Sequence, residues 1–443
     1  MRTVKRAPIE RILSPFNRFF KTSAAGGLLL LACTAAAMVW ANSPYGDSYA
    51  RLREVHLSLG AGGAVLELSL LHWINDGLMA VFFFVVGLEI KREILAGELS
   101  SARKALLPIV AAVGGMVVPA AVYLAFVWGS GNERGWGIPM ATDIAFTLGV
   151  LSLLGSRIPA SLKVFLTALA IADDIGAVLV IAVFYGGQLN LPALGLGLAI
   201  LAGMAGANAL GVRRAIVYFL MGAAAWLCFY HSGVHATVAG VLAAMTIPAR
   251  PRMGVAEMLA KSHALLDQLG SERTDRGMLA NDRLHKIVLT LRGACRDAET
   301  PLQRLDALLH PWVAFIIMPV FALANGGVAL SGDVLASLTS PLSLGVGLGL
   351  ALGKPVGVCL AVLAMTGLGL SPKLSGVTQR HMLGAGCLAG IGFTMSIFVS
   401  GLAFPGAEQT DLAKLGILCG SLLSALVGYA VLRGMPEAAQ PEA

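Results

Sequence analysis

Two adjacent carboxylates, Asp173 and Asp174, stand inside the apolar stretch Ala168-Leu-Ala-Ile-Ala-Asp-Asp-Ile-Gly-Ala-Val-Leu-Val-Ile181. The run extends from about Val164 to Phe184, long enough to cross the roughly 30 Å hydrocarbon layer of a bilayer as a helix. One charged Asp near the middle of such a helix costs roughly 2.5–3.5 kcal/mol on insertion scales, so two in a row call for a use. Successive helix positions point about 100° apart, yet both side chains can look into one polar cavity, where their like charges oppose joint ionisation. Such a pair can hold a cation when ionised and protons when not. On these residues alone, capping of a neighbouring helix or bonding to a buried basic residue stays open as the simpler role.

Other polar groups fall at membrane depth. In Gly137-Ile-Pro-Met-Ala-Thr142-Asp143-Ile-Ala-Phe146, Gly and Pro precede a hydroxyl and a carboxylate. The pattern reads as an interrupted helix, whose freed backbone groups need polar partners; it also fits an ordinary N-cap. Lys354, between Gly353 and Pro355, is flanked on both sides by apolar or small residues, which makes snorkelling difficult. A midplane Lys needs a carboxylate partner or must lose its proton, and Asp173 and Asp174 are the candidates. Gly390-Ile-Gly392-Phe-Thr394-Met-Ser396 has the glycine and hydroxyl content of a second interrupted helix. His231 and His235 can titrate near neutral pH, although packing is the commoner use of such a pair. Asp76 marks the outer entrance of a span, and Glu89, Lys91, Arg92 and Glu93 mark its inner end: a solvated face, or more sharply a funnel for cations.

The elements that must hold these groups are membrane helices. Of the 443 residues, 57% are hydrophobic and only 13% charged, with a mean hydropathy of +0.78; soluble domains carry about 25% charged residues. The chain reads as an all-α polytopic membrane protein whose first solvent is the lipid bilayer. The formal charge of +7 does not point to nucleic acid, because the basic residues fall between apolar runs as topology signals. Six scattered cysteines without a Cys-x-x-Cys indicate neither a zinc site nor a disulfide framework.

Twelve spans are expected, at about 22–41, 74–90, 104–127, 137–154, 161–184, 192–211, 214–231, 233–248, 312–329, 341–365, 380–403 and 412–432. Assigned alternately, one side receives the basic N-terminus, Lys91 to Lys104, Arg157/Lys163, Arg213/Arg214, the 249–311 loop, Lys373/Arg380 and Arg433. The other receives only Arg51, Arg53 and Arg134. The positive-inside rule then places both termini in the cytoplasm. Residues 43–71 form an outer region in which the alternation of 55–70 predicts a β-hairpin. A lone hairpin is only marginally stable, so pairing with a second copy in a homodimer is a further expectation. The charged 252–300 segment, with Val255, Met258, Leu259, Leu265, Leu266 and Leu269 at helical spacing, reads as a cytoplasmic amphipathic surface attached to a single transporter domain covering 1–443.

With Asn75-Asp76-Gly, Val86-Gly-Leu-Glu-Ile-Lys-Arg-Glu93, Ala141-Thr-Asp-Ile-Ala-Phe146, Ala170-Ile-Ala-Asp-Asp-Ile-Gly176, Gly233-Val-His-Ala-Thr237, Gly353-Lys-Pro355 and Gly390-Ile-Gly-Phe-Thr-Met-Ser-Ile-Phe398, the chain closely resembles the NhaA sodium/proton antiporters over nearly its whole length. That family is itself a known case of the inverted-repeat architecture suggested by the two oppositely oriented three-span sets, 104–184 and 341–432, each with an interrupted, crossing middle helix. The resemblance implies that Asp173 and Asp174 carry Na⁺ and protons, while Thr142, Asp143, Lys354, Gly390, Gly392 and Thr394 line the crossing. It also implies that Lys354 pairs with the central carboxylates and helps balance the half-helix dipoles. Asp76, Glu89, Arg92, Glu93, His235, Arg304, Asp306 and His310 become entrance or pH-response candidates. Residues 252–300 look like an insertion relative to better-known members, and Gln303 and Ala307 replace a basic residue and a histidine often found there.

The resulting expectation is an electrogenic exchanger of the bacterial inner membrane, not an enzyme. It would export Na⁺ or Li⁺ for protons by alternating access under pH control, with no cofactor beyond the transported ions. A sodium symporter for an organic solute would need a roomier site. An intramembrane aspartyl protease would need two aspartates facing each other from separate helices, whereas Asp173 and Asp174 adjoin.

Overall fold

The computed structural model describes residues 23–61, 64–271, 281–330, 333–372 and 374–435, and nearly all their regular structure is helical. In lipid a helix satisfies its own backbone, and each of the twelve expected segments lies on helix. Seven helical runs among the described residues are long and apolar enough to cross a membrane, and two bent pairs raise the number to nine. The other three differ for physical reasons. Ala215–Tyr230 is short, and Ala236–Thr246 has only 11 residues, about 16 Å of rise. Met79–Ala96 is diluted by Glu89, Lys91, Arg92 and Glu93, which extend the helix past the expected boundary. The basic cluster of residues 2–21 lies outside the described residues.

Loop-to-loop bonds join connections in pairs, taken in two groups. In one, Lys91 Nζ donates to the Met245 and Ile247 carbonyls, Arg157 to Arg433 O at 2.6 Å, and Ser161 Oγ to Ser375 O at 2.7 Å. In the other, Asn42 Nδ2 donates to Val328 O, Gly187 N to Gly233 O and Tyr185 OH to Arg134 O. Each of these bonds joins connections that the alternating assignment of basic loops puts on the same side.

The first helix, Ser23–Ala41, turns by 112° into Gly46–Glu54, a bend the composition does not announce. The hairpin follows as β1 (His56–Ala61) and β2 (Ala64–Ser69), antiparallel with Leu57 opposite Leu68; residues 62 and 63 lie outside the described residues. In the 252–300 segment, Val255–Ser271 and Asp282–Ala298 are the two expected amphipathic helices, and the second buries Leu284, Ile287 and Ala294.

Small residues let the spans approach closely, as lipid-embedded helices require. A Cβ at Gly345 would lie 3.2 Å from Tyr123, one at Gly349 3.2 Å from Pro119 O, and one at Gly353 2.7 Å from Pro119 Cα. All three glycines therefore face the helix Ala102–Val127, and bring Lys354 in beside it.

Candidate functional site

Two spans break at membrane depth. In the first, a tight helical run Glu133–Met140 is followed by extended residues 141–143 and then the helix Ile144–Leu153. In the second, Gln379–Ala389 and Phe393–Ala403 meet at a 45° bend across residues 390–392. The broken segments touch: Asp143 N donates to Ile391 O at 2.7 Å. Gly390 and Gly392 are needed for this approach, not for an unusual backbone angle. A Cβ on Gly392 would collide with Ser396 Oγ and come within 3.0 Å of Ala141 O, and one on Gly390 would run into Leu350 O.

Breaking two helices leaves four half-helix ends whose backbone groups need partners. Asp143 serves two of them. Its Oδ1 accepts from Phe146 N at 3.0 Å, on its own helix, and its Oδ2 accepts from Thr394 N at 3.2 Å and Thr394 Oγ1 at 2.5 Å. One carboxylate thus caps the positive ends of both half-helices. Lys354 Nζ donates to Met140 O at the end of the first half-helix, putting positive charge where that helix is negative. Thr142 Oγ1 and Thr147 Oγ1 donate to Ala389 O and Leu388 O, both at 2.9 Å, and Ser396 Oγ returns a bond to Ile138 O at 2.8 Å. Thr147 had no place among the residues singled out from the sequence, and Ser396 entered only as one hydroxyl of the second interrupted motif. Hydroxyls in membrane helices usually bond back to their own helix, so only the break reveals their use.

The aspartate helix, Ala160–Phe184, passes beside this crossing. Lys354 Nζ lies 2.5 Å from Asp173 Oδ2. Asp173 Oδ1 is buried without a hydrogen-bond partner among the described residues. Asp174 adjoins it at 3% exposure, while Asp173, Lys354 and Asp143 are each at 1%. Three buried carboxylates thus share the crossing with one ammonium, which pairs with Asp173. Fully ionised, that set carries a net negative charge in a medium that penalises uncompensated charge heavily. Its chemistry is to accept a hard cation or protons.

The remaining candidates divide between the two ends. At one, Asp76 and His235 come together, with Oδ1 to Nε2 at 3.5 Å. His235 Nδ1 also shares a bond with Thr237 Oγ1 at 2.8 Å, and its ring lies edge-on to Phe398. Beside Asp76, the half-buried Asn75 accepts from the buried Asn325 at 2.8 Å; Asn325 carried no signal in an apolar stretch. At the opposite end Glu89, Arg92, Asp306 and His310 cluster, with Arg92 Nη1 to Asp306 Oδ2 at 2.9 Å and His310 Nδ1 to Glu89 Oε1 at 3.6 Å. Glu93 Oε1 is 3.9 Å from Arg92 Nε, and its Oε2 accepts from Glu98 N. Arg304 does not join the cluster; it lines a neighbouring cleft.

The family model described as Na+/H+ antiporter 1 matches residues 17–432. The chain is 50% identical over 436 residues to the Na(+)/H(+) antiporter NhaA of Oleidesulfovibrio alaskensis, covering 98% of this chain and 97% of that one. It is 49% identical to the protein of the same name from Koribacter versatilis, covering 97% and 94%, and 49% identical to Na(+)/H(+) antiporter NhaA 2 of Sorangium cellulosum, covering 95% and 90%. The 252–300 segment lies within the aligned length of the first two.

Proposed function

The chain belongs to the Na+/H+ antiporter 1 family, and from that premise we propose that it exports Na⁺ or Li⁺ in electrogenic exchange for protons at Asp173 and Asp174. The observation that carries the assignment is the Lys354–Asp173 pair beside Asp174 at the broken-helix crossing, each residue no more than 3% exposed. A cation entering this set replaces the charge that protons otherwise supply, so the two exclude each other. Desolvation enforces the exclusion, because surplus charge of either sign is costly there.

In the cycle, the deprotonated pair takes the cation from the cytoplasmic side. The site then re-faces outward, releases the ion and accepts protons for the return. Asp143 and Lys354 hold the half-helix ends together through this change, as positioning residues. Exchange of more than one proton per sodium moves net charge, to which the membrane potential contributes about 2.3 kcal/mol per charge per 100 mV. The Glu89–His310 cluster forms the cytoplasmic mouth and sets the pH response. We read the chain as twelve spans in the bacterial inner membrane with both termini cytoplasmic, a reading supported by the alternation of basic loops in the sequence.

The assay is dissipation of a pH gradient in everted membrane vesicles on adding NaCl or LiCl, repeated with the potential clamped by valinomycin and K⁺. The reading requires cation-dependent alkalinisation whose rate changes with the potential. Exchange that needs an added organic solute would overturn it in favour of a symporter, for which nothing at the crossing argues.

A further inference from the structure

The cluster around Arg92 and Asp306 has ligand atoms to spare. Glu89 comes from the helix Met79–Ala96, while Asp306 and His310 stand four residues apart on Pro301–Trp312, a spacing that puts both on one helix face. The three offer one ligand atom each, two carboxylate oxygens and an imidazole nitrogen, all within 4.8 Å of one another. Few of their lone pairs are used. Arg92 takes Asp306 Oδ2 at 2.9 Å, but Asp306 Oδ1 is buried with no hydrogen-bond partner among the described residues. Glu89 Oε1 and His310 Nδ1 approach only to 3.6 Å, beyond ordinary hydrogen-bond length. A buried oxygen left unbonded calls for an explanation, and an ion is one.

Charge and chemistry say which ion. Glu89, Glu93 and Asp306 bring three carboxylates and Arg92 one guanidinium, which lies 3.9 Å from Glu93 as well. With His310 neutral the group is doubly negative, the complement of a divalent cation. Lys91 does not offset it, because its Nζ turns away to the Met245 and Ile247 carbonyls. An imidazole beside two carboxylates suits Zn²⁺ and its transition-metal neighbours, whereas Mg²⁺ and Ca²⁺ prefer oxygen alone. Zinc commonly takes three protein ligands of this kind and leaves a fourth position to water. With bonds of about 2.0–2.2 Å, a tetrahedral ion spaces its ligands about 3.4 Å apart. The side chain of His310, 61% exposed, is free to swing in by the difference. We propose that Glu89, Asp306 and His310 bind a divalent transition-metal ion of the zinc type, which ties the helix Met79–Ala96 to Pro301–Trp312. Binding requires nothing of the exchange reaction; its consequence, a mouth that the ion pins and slows, rests on the function proposed above.

The test uses tag-free, full-length protein stripped with EDTA. Zn²⁺ titration calorimetry and the visible spectrum of bound Co²⁺ compare wild type with Asp306→Asn/His310→Gln and with His310→Cys. The control is His263→Gln, at an exposed histidine on Val255–Ser271. Wild type and the control should bind one ion about tenfold or more tighter than the double variant does, and excess Mg²⁺ should not displace it. His310→Cys should keep the ion and add a sulfur-to-cobalt charge-transfer band, which only direct coordination at this position produces. The exposed Cys295 and Cys419 are the same in every variant, so ions they take cancel. In everted vesicles, whose outer face is the cytoplasmic one, Zn²⁺ should slow wild-type exchange severalfold and EDTA should restore it. Unchanged binding in the double variant, no binding by wild type, displacement by Mg²⁺, or no new band in His310→Cys overturns the site. Binding that leaves exchange untouched supports the site and removes the cluster from the mouth.

Discussion

The broken-helix crossing and the Glu89–His310 cluster, the proposed mouth, use the same ingredients, carboxylates facing basic side chains from distant parts of the chain, in opposite surroundings. At the crossing, Asp143, Asp173, Asp174 and Lys354 are at most 3% exposed. At the mouth, the Arg92 side chain is 43% exposed and that of His310 61%. Two unit charges 4 Å apart interact by about 1 kcal/mol in water and about 4 kcal/mol at an effective dielectric of 20. The buried set is therefore bound to near-neutrality, and an ion can enter only as another charge leaves. The mouth can carry surplus charge, and it answers to pH and salt. In the proposed cycle, stoichiometry belongs to the first region and adjustment to the second.

The contrast breaks first, if it breaks, at the aspartates. Asp174→Asn removes the charge and keeps the volume; exchange in everted vesicles should fall more than about a hundredfold, close to background, with the protein still inserted at normal abundance. A variant that exchanged at the wild-type rate would move the ion site elsewhere. Next comes Lys354→Ala, which leaves Asp173 buried without its partner. Breaking one side of a buried pair costs about 3–5 kcal/mol, so thermal unfolding in detergent should shift strongly downward. Adding Asp173→Asn should restore part of that loss, because a neutral amide needs no counter-charge. No recovery in the double variant would mean that Lys354 stabilises mainly through the Met140 carbonyl. Asp143→Ala is smaller: it uncaps two half-helices, at about 0.5–2 kcal/mol for each cap.

Much of the crossing was legible in the sequence because membrane depth makes polar residues conspicuous. Asp173, Asp174, Lys354 and Thr142-Asp143 stand out against apolar neighbours, and the Gly-rich breaks mark where backbone must find outside partners. Composition could not show which partners are chosen. Thr147 and Ser396 look like hydroxyls bonded to their own helices until the break turns them across to the opposite segment. Asn325 finds Asn75 only through a contact spanning 250 residues. At the mouth the legibility was lower still. Glu89 to Glu93 read as a solvated helix end, and nothing in their spacing said that Lys91 would turn inward to cap the short helix Ala236–Thr246, or that Arg304 would leave the cluster for the cleft. Charged residues near a surface have many affordable positions, so sequence constrains them weakly.

The smallest effect is the one that sharpens the contrast most. Arg92→Gln removes a half-exposed partner of Asp306, a pair worth at most about 1 kcal/mol, so the melting temperature should hardly move. This positive charge lowers the pKa of Asp306 and of His310; its loss favours their protonated forms, and a higher pH is then needed to deprotonate them. The pH profile of exchange should shift toward alkaline values by less than about one unit, since a unit corresponds to 1.36 kcal/mol. The maximal rate should stay within about twofold of wild type, because RT ln 2 is small against a tenfold step of 1.4 kcal/mol. Added choline chloride should shrink the shift, the Debye length being about 10 Å at 0.1 M, whereas the Asp174→Asn defect should ignore it, because buried charges are screened little. If salt leaves the Arg92→Gln shift intact, or if this variant silences exchange as fully as Asp174→Asn, then the mouth is part of the ion site and the division between the two regions fails.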